Sequence, residues 1–61
     1  AGFTLSYLHA GLAEAYLAAG DGSRAAQHAD SALEIAESHG RERDAQHARQ
    51  IRFQIDSRQP T

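Results

Sequence analysis

Residues 8–36, which read LHAGLAEAYLAAGDGSRAAQHADSALEIA, contain two helical patterns separated by a short break at residues 20–23. Apolar residues recur at three- and four-residue intervals on each side of the break, which is the spacing of one helical face. The break, Gly-Asp-Gly-Ser, combines residue types that end and begin helices. A connection this short forces the two helices to run antiparallel. Most of the recurring residues are Ala, so we expect the two backbones to approach closely.

The first helix is predicted over residues 4–19, with Thr4 as the candidate N-cap. The face expected to point at the second helix consists of Leu5, Leu8, Leu12, Ala15, Tyr16 and Ala19. Leu17 lies off this face, which indicates a helix that is covered on two sides. Gly11 lies in the helix interior at a cost of about 1 kcal/mol relative to Ala. We interpret it as a point of close approach to another helix, with a hinge as the alternative.

The second helix is predicted over residues 23–38. Gly20 is placed to end the first helix in the left-handed conformation, and Asp21 or Ser23 is placed to cap the second. His39 and Gly40 mark the end of the second helix. Its expected inner face is Ala25, Ala29, Ala32, Leu33 and Ala36, with Ile35 beside it.

A third helix is predicted over residues 41–57, followed by a loose tail at residues 58–61. Its expected inner residues are Ala45, Ala48, Ile51 and Ile55. Phe53 lies off this face and is expected to dock on a neighbour or to be partly exposed. No strand pattern is present, so the fold class is all-α: an antiparallel helix-turn-helix hairpin plus a third helix, forming one unit over residues 1–61.

Size and composition predict a unit that needs a neighbour. A chain of 61 residues buries only about 60% of its extended surface, and alanine contributes little apolar area. The chain has no Cys, which excludes a disulfide framework and favours the cytoplasm. It has no signal peptide pattern and no apolar run of membrane-spanning length. The Ala and Arg bias without Lys is typical of a high-GC bacterium. A start within a helical pattern without Met suggests a fragment or a processed product.

The charge pattern does not indicate a nucleic-acid partner. Residues 1–40 carry a net charge of −4 and residues 41–61 a net charge of +2. Arg41, Arg49 and Arg52 lie near one another in helical projection, but acidic residues dilute their charge. Nucleic-acid interfaces usually have a stronger basic excess. We interpret the third helix as a solvated face with ion pairs.

No residue pattern predicts catalysis, a cofactor or a metal site. None of the four His residues forms the i, i+4 pair typical of helical metal sites. Asp44 and His47 are three residues apart, which is a weak signal alone, and His39 suits the negative end of a helix. Gly20 to Gly22 lacks the Lys of a phosphate loop, and no Ser lies in a nucleophile elbow. We therefore expect a protein that is not an enzyme.

The chain resembles the tetratricopeptide repeat, a helix-turn-helix unit with a recognisable residue pattern. The matching positions are Leu12, Tyr16, Ala25 and Ala32, and Ala13 is a small substitute for the usual Gly. The departures are His9, Ala29 and Glu37, in place of Trp, a large aromatic residue and Pro. The resemblance spans roughly residues 6–40. It implies that the third helix begins the next repeat or caps the stack, and its poor match favours a cap.

The chain also resembles the C-terminal repeat arrays of actinobacterial transcription regulators, which implies the sensing of a ligand or partner. The repeat resemblance places Tyr7, Ala10, Glu14, Leu17 and Ala18 on the concave side of an array. Tyr7 is then either an interface anchor or packed against a preceding helix.

We expect a non-catalytic module for protein–protein interaction or intramolecular docking, located in the cytoplasm. Its partners are expected to be neighbouring repeats of the same chain, another copy or a partner protein, rather than nucleic acid or a membrane. The alternatives are a ligand- or peptide-sensing segment of a bacterial transcription regulator and a self-assembling homodimeric fragment. The candidate interaction surface is Phe3, Tyr7, Glu14, Leu17 and Phe53.

Overall fold

The computed structural model describes the backbone of residues 2–58 and the side chains of residues 5–58. Within that range it contains three α-helices and no strand: α1 (Gly2–Ala18), α2 (Gly22–Ser38) and α3 (Glu42–Arg58). The helix α2 packs against both others, whereas α1 and α3 share a smaller contact. The predicted all-α hairpin with a third helix is confirmed.

The helix ends lie within two residues of the predicted ones, and α2 ends at Ser38 as predicted. Thr4 lies inside α1, so it is not the N-cap, and Arg58 is the last residue of α3 rather than the first of a tail. The remainder of the predicted tail, residues 59–61, lies outside the described part of the chain. Periodicity locates a helix better than its ends, because the terminal turn needs only a few favourable backbone contacts.

Two similar turns join the helices. Gly20 adopts a φ of 85° and Gly40 a φ of 67°, which only glycine adopts without strain. After α1, the Asp21 N–H donates to the Tyr16 carbonyl at 2.8 Å, and the Gly20 N–H donates to the Leu17 carbonyl at 3.1 Å. This is the Schellman arrangement, which satisfies carbonyls at the end of a helix. Asp21 then accepts from the backbone N–H three residues on, at 3.1 Å, and so caps α2 as predicted.

The core forms around a face of α2 made of alanine. The buried residues of α2 and α3 are Ala25, Ala29, Ala32, Ala36, Ala45, Ala48, Ile51 and Ile55. Leu33 packs against this core while partly exposed. The predicted inner faces of both helices are therefore confirmed. Small facing residues let helix axes approach towards the short end of the usual range of about 8–10 Å.

The prediction for α1 is wrong about which face is buried. The buried side chains of α1 are Ser6, Ala10 and Ala13, and Tyr16 is half-buried. The predicted inner residues Leu5, Leu8, Leu12, Ala15 and Ala19 are exposed. The reason is that α1 is apolar on more than one face, and the alanine surface of α2 accepts the face with the smallest side chains. The Ser6 hydroxyl satisfies its own burial by donating to the Ala32 carbonyl at 3.2 Å.

Ion pairs connect the outer sides of α2 and α3. Arg49 lies 3.0 Å from Glu37, and Arg52 lies 2.7 Å from Asp30. The hydrogen bond to Glu37 is the main cause that raises the pKa of Arg49 above its ordinary value. Burial lowers the pKa of Arg52, but the charges of Asp30 and Asp56 and the hydrogen bonds to them together outweigh it, so the net shift is upward. These groups are largely exposed, so each pair contributes little to stability. They nevertheless agree with the interpretation of α3 as a solvated, ion-paired helix.

Candidate functional site

Three of the exposed large apolar residues of the described unit are leucines of α1. Leu5, Leu8 and Leu12 are 51%, 58% and 42% exposed, and together we call them the leucine stripe. Because they are three and four residues apart, they lie in one row along the helix. Single exposed leucines are common on protein surfaces, but a contiguous apolar row is typical of an interaction site.

Gly11 lies beside this stripe in open space. A Cβ built on Gly11 would meet no atom within 4 Å, so the predicted close helix approach does not occur within this unit. The residue still lowers the stability of the helix by about 1 kcal/mol relative to Ala. The unit itself gains no packing from Gly11, which leaves a flat stretch of exposed backbone between Leu8 and Leu12.

A shallow cavity lies between α1 and the start of α3. It has a volume of about 130 Å³ and is lined by Ser6, Tyr7, Ala10, Arg43, Asp44 and His47. Tyr7 is 72% exposed at its edge. Ligand pockets usually measure about 300–1,000 Å³, so this cavity could hold a small polar group but would not enclose a metabolite.

The other candidate surface residues are dispersed over the unit. Glu14 is exposed and lies 3.8 Å from the ring of His47 on α3. Leu17 is half-buried and packs against the core. Phe53 is 72% exposed on the far side of α3, among Arg and Gln side chains. The side chain of Phe3 lies outside the described part of the chain. Of the four described candidates, Tyr7 and Glu14 both lie near His47 of α3, whereas Leu17 and Phe53 lie elsewhere, so the structure does not gather the four into one site.

Sequence analysis missed a cluster of rings between α1 and α2. The Nδ1 atoms of His9 and His28 lie 3.0 Å apart, within hydrogen-bond distance. The Tyr16 ring stacks on His28 with centroids 5.4 Å apart, and the Arg24 guanidinium lies 5.9 Å from the Tyr16 centroid. No spacing within one helix predicts this contact, which follows from the same hairpin register that places Ser6 opposite Ala32.

The described residues show no metal-binding group and no membrane helix. No three His, Cys, Asp or Glu side chains between residues 5 and 58 lie close enough together to hold a metal ion. Within the same part of the chain, no helix combines the length and apolarity needed to cross a bilayer.

Comparison with protein-family models, curated proteins and solved structures finds no match to this chain. The leucine stripe and the ring cluster must therefore be interpreted from their own chemistry.

Proposed function

We propose that this chain is a non-catalytic docking unit of a tetratricopeptide-like helical protein, and that another α-helix packs on its leucine stripe. The observation that carries the proposal is the orientation of Leu5, Leu8 and Leu12, which point away from both α2 and α3. Three leucines left about half exposed represent apolar area whose burial would stabilise a complex at roughly 25 cal/mol per Å².

The shape of the stripe favours a helical partner. Its spacing of three and then four residues is that of the core positions of a coiled coil, where each side chain inserts between residues of a facing helix. The exposed positions beside it, Gly11 and Ala15, are small and uncharged. A facing helix can therefore approach the backbone of α1 without desolvating a charge. Partners of this class include a neighbouring repeat, a second copy or a different protein.

The runner-up functions have less support. A ligand-sensing segment of a bacterial transcription regulator would need a pocket, and the cavity beside Tyr7 is smaller than typical ligand sites. A homodimeric fragment uses the same stripe, so it differs from the main proposal only in the identity of the facing helix. The arrangement of the ion-paired arginines on α3 does not favour direct nucleic-acid binding.

Two substitutions of exposed apolar residues test the proposal. Leu8→Gln removes the centre of the stripe, and Phe53→Gln is the matched control on the opposite side of the unit. We expect a selection from a displayed library of amphipathic helical peptides to yield ligands that bind the wild type and Phe53→Gln. Binding to Leu8→Gln should fall at least tenfold, while its circular dichroism spectrum remains helical. Sedimentation of each chain alone shows whether a second copy serves as the facing helix.

Two results would contradict the proposal. One is a set of selected peptides that bind Leu8→Gln as tightly as wild type. The other is binding that is lost in Phe53→Gln alone, which would transfer the docking surface to α3.

A further inference from the structure

The leucine stripe is complementary to its own reverse. Together with Ala15, which is exposed three residues after Leu12, the row occupies positions 5, 8, 12 and 15, and its intervals read the same in both directions along the helix. A two-fold axis perpendicular to α1 at the level of Ala10 therefore places the row on an identical antiparallel row. Interfaces between two copies of one chain are usually two-fold and bring the same patch together from both sides.

Antiparallel pairing also matches large side chains with small ones. Leu5 then lies level with Ala15 of the second copy, and Leu8 lies level with Leu12 of the second copy, so every layer of the contact contains a leucine. A parallel pair would place leucine on leucine in three layers and leave only alanine in the fourth. Layers that combine large and small residues interdigitate at the density of a protein interior, whereas a layer of alanine beside layers of leucine leaves a void. The pattern of sizes therefore favours the antiparallel orientation.

The flanks of the stripe suit the close approach of a second copy. Gly11 lies one residue from the level of the axis, so at a rise of about 1.5 Å per residue the two Gly11 backbones come level to within about 3 Å. A Cβ at Gly11 would meet nothing within 4 Å in the single unit, and the second copy supplies a neighbour for this open backbone. Glu14, the one charged side chain among residues 5–18, lies on the side that faces α3, 3.8 Å from His47. The pairing therefore buries no charge of α1.

We infer that the helix facing the leucine stripe is α1 of a second copy, paired antiparallel so that Leu8 of each copy packs on Leu12 of the other. This inference rests on the proposed docking function and adds the identity and the orientation of the partner. Stable protein interfaces bury about 1,200–2,000 Å² in total, and three half-exposed leucines per copy supply less than that. The pair is therefore reversible, with monomers in dilute solution and dimers at high concentration.

Charges introduced across the pair test both the partner and the orientation. Leu8→Glu alone and Leu12→Lys alone each have to bury an unpaired charge against leucine, so the self-association constant of each should fall at least tenfold. When the two chains are mixed, the introduced carboxylate lies opposite the introduced ammonium in one central layer, and leucine stays on leucine in the other. Sedimentation equilibrium between about 10 μM and 1 mM should show the mixed pair at least tenfold tighter than either variant alone.

A mixture of Leu8→Glu with Leu8→Lys is the matched control, because it carries the same charges but places each opposite leucine in the antiparallel pair. Its association should be weaker than that of Leu8→Glu with Leu12→Lys. The reverse order would overturn the antiparallel orientation, and self-association that Leu8→Glu leaves unchanged would overturn the pairing through the stripe. Circular dichroism checks that each variant stays helical, as expected for changes at exposed positions.

The wild-type chain alone separates this inference from the proposed function and needs no variant that folds. Its mean mass should rise towards that of two chains with concentration, and a selected helical peptide should compete with this self-association. A wild type that stays monomeric at about 1 mM but binds selected helical peptides would overturn the inference and leave the docking function standing. A wild type that stays monomeric and yields no peptide ligand would contradict both.

Discussion

The helices α1 and α3 have the same length and both pack on α2, but they use their large apolar residues in opposite ways. Each contains 17 residues. In α3, Ile51 and Ile55 are 2% and 0% exposed and face the core. In α1 the fully buried residues, Ser6, Ala10 and Ala13, are small, and the leucine stripe faces outwards. The unit therefore gains its largest fully buried side chains from α3 and leaves the leucine stripe of α1 uncovered.

The exposed surfaces of α1 and α3 also differ, in how much charged and apolar area each carries. The exposed side of α3 carries arginines paired with acidic residues, and Phe53 is its one large apolar group there among the described residues. The outer side of α1 is mostly apolar and carries Glu14 as its one charge among residues 5–18. A surface of paired charges needs no partner, whereas an apolar one gains free energy when covered. Under the proposed function, α3 is therefore the side of the unit that needs no partner, and α1 is the side that docks.

The largest expected effect is the loss of an isoleucine from α3. Ile55→Ala should lower the free energy of unfolding by about 2–5 kcal/mol, because it removes a buried side chain and leaves a cavity. In a chain this small such a loss leaves little folded protein. Leu8→Ala, the matched change on α1, should alter the free energy of unfolding by no more than about 0.5 kcal/mol. Urea titration at a concentration where the chain is monomeric measures both. Equal losses would mean that the leucine stripe belongs to the core.

A smaller effect is expected from enlarging an alanine of α1. Ala13 is fully buried against α2, and Ala15 is exposed two residues later. Ala13→Leu should destabilise the chain by about 1–3 kcal/mol, because the closely packed seam cannot accept a larger side chain. Ala15→Leu should leave stability nearly unchanged and add apolar area beside the stripe. The order of the two melting temperatures checks this, and a stable Ala13→Leu chain would contradict the close packing.

How far sequence alone predicts this fold differs between the helices. The inner faces of α2 and α3 follow from a single apolar row each, and the turns at Gly20 and Gly40 follow from residue type. The buried face of α1 could not be chosen by spacing, because two faces of the helix are apolar. The decision depends on which face fits the alanine surface of α2, and that is a property of the packed pair. The spacing pattern pointed to the leucine face as the buried one, because leucine is larger and more apolar than the Ser and Ala residues of the other face.

The candidate site was also only partly predictable, because part of it depends on how two helices pack together. Phe53 was expected to dock or to be partly exposed because it lies off the inner row of α3, and the repeat resemblance placed Tyr7 on the concave side of an array. Both residues are exposed. The leucine stripe was recognised as an apolar face but assigned to the core. The contact of His9 with His28 joins two helices, so no spacing within one helix reveals it. It requires the register of the hairpin, which depends on where the turn begins.

The smallest expected effect concerns Gly11 and has opposite signs for folding and for docking. Gly11→Ala should raise the free energy of unfolding by about 0.5–1 kcal/mol, because the added methyl group meets open space and the unfolded chain loses freedom. Gly20→Ala is the matched control, since the φ of 85° at Gly20 makes the same change destabilising.

The same Gly11→Ala chain tests whether the glycine serves a facing helix. If a partner packs on the leucine stripe at backbone distance, the added methyl group must weaken binding while it strengthens folding. Unfolding curves and the affinity of a selected helical peptide, measured on one preparation, separate the two effects. A chain that gains stability and keeps full affinity would place the partner helix away from Gly11, along the other edge of the leucines. A loss of affinity would explain why α1 retains a residue that its own unit does not need.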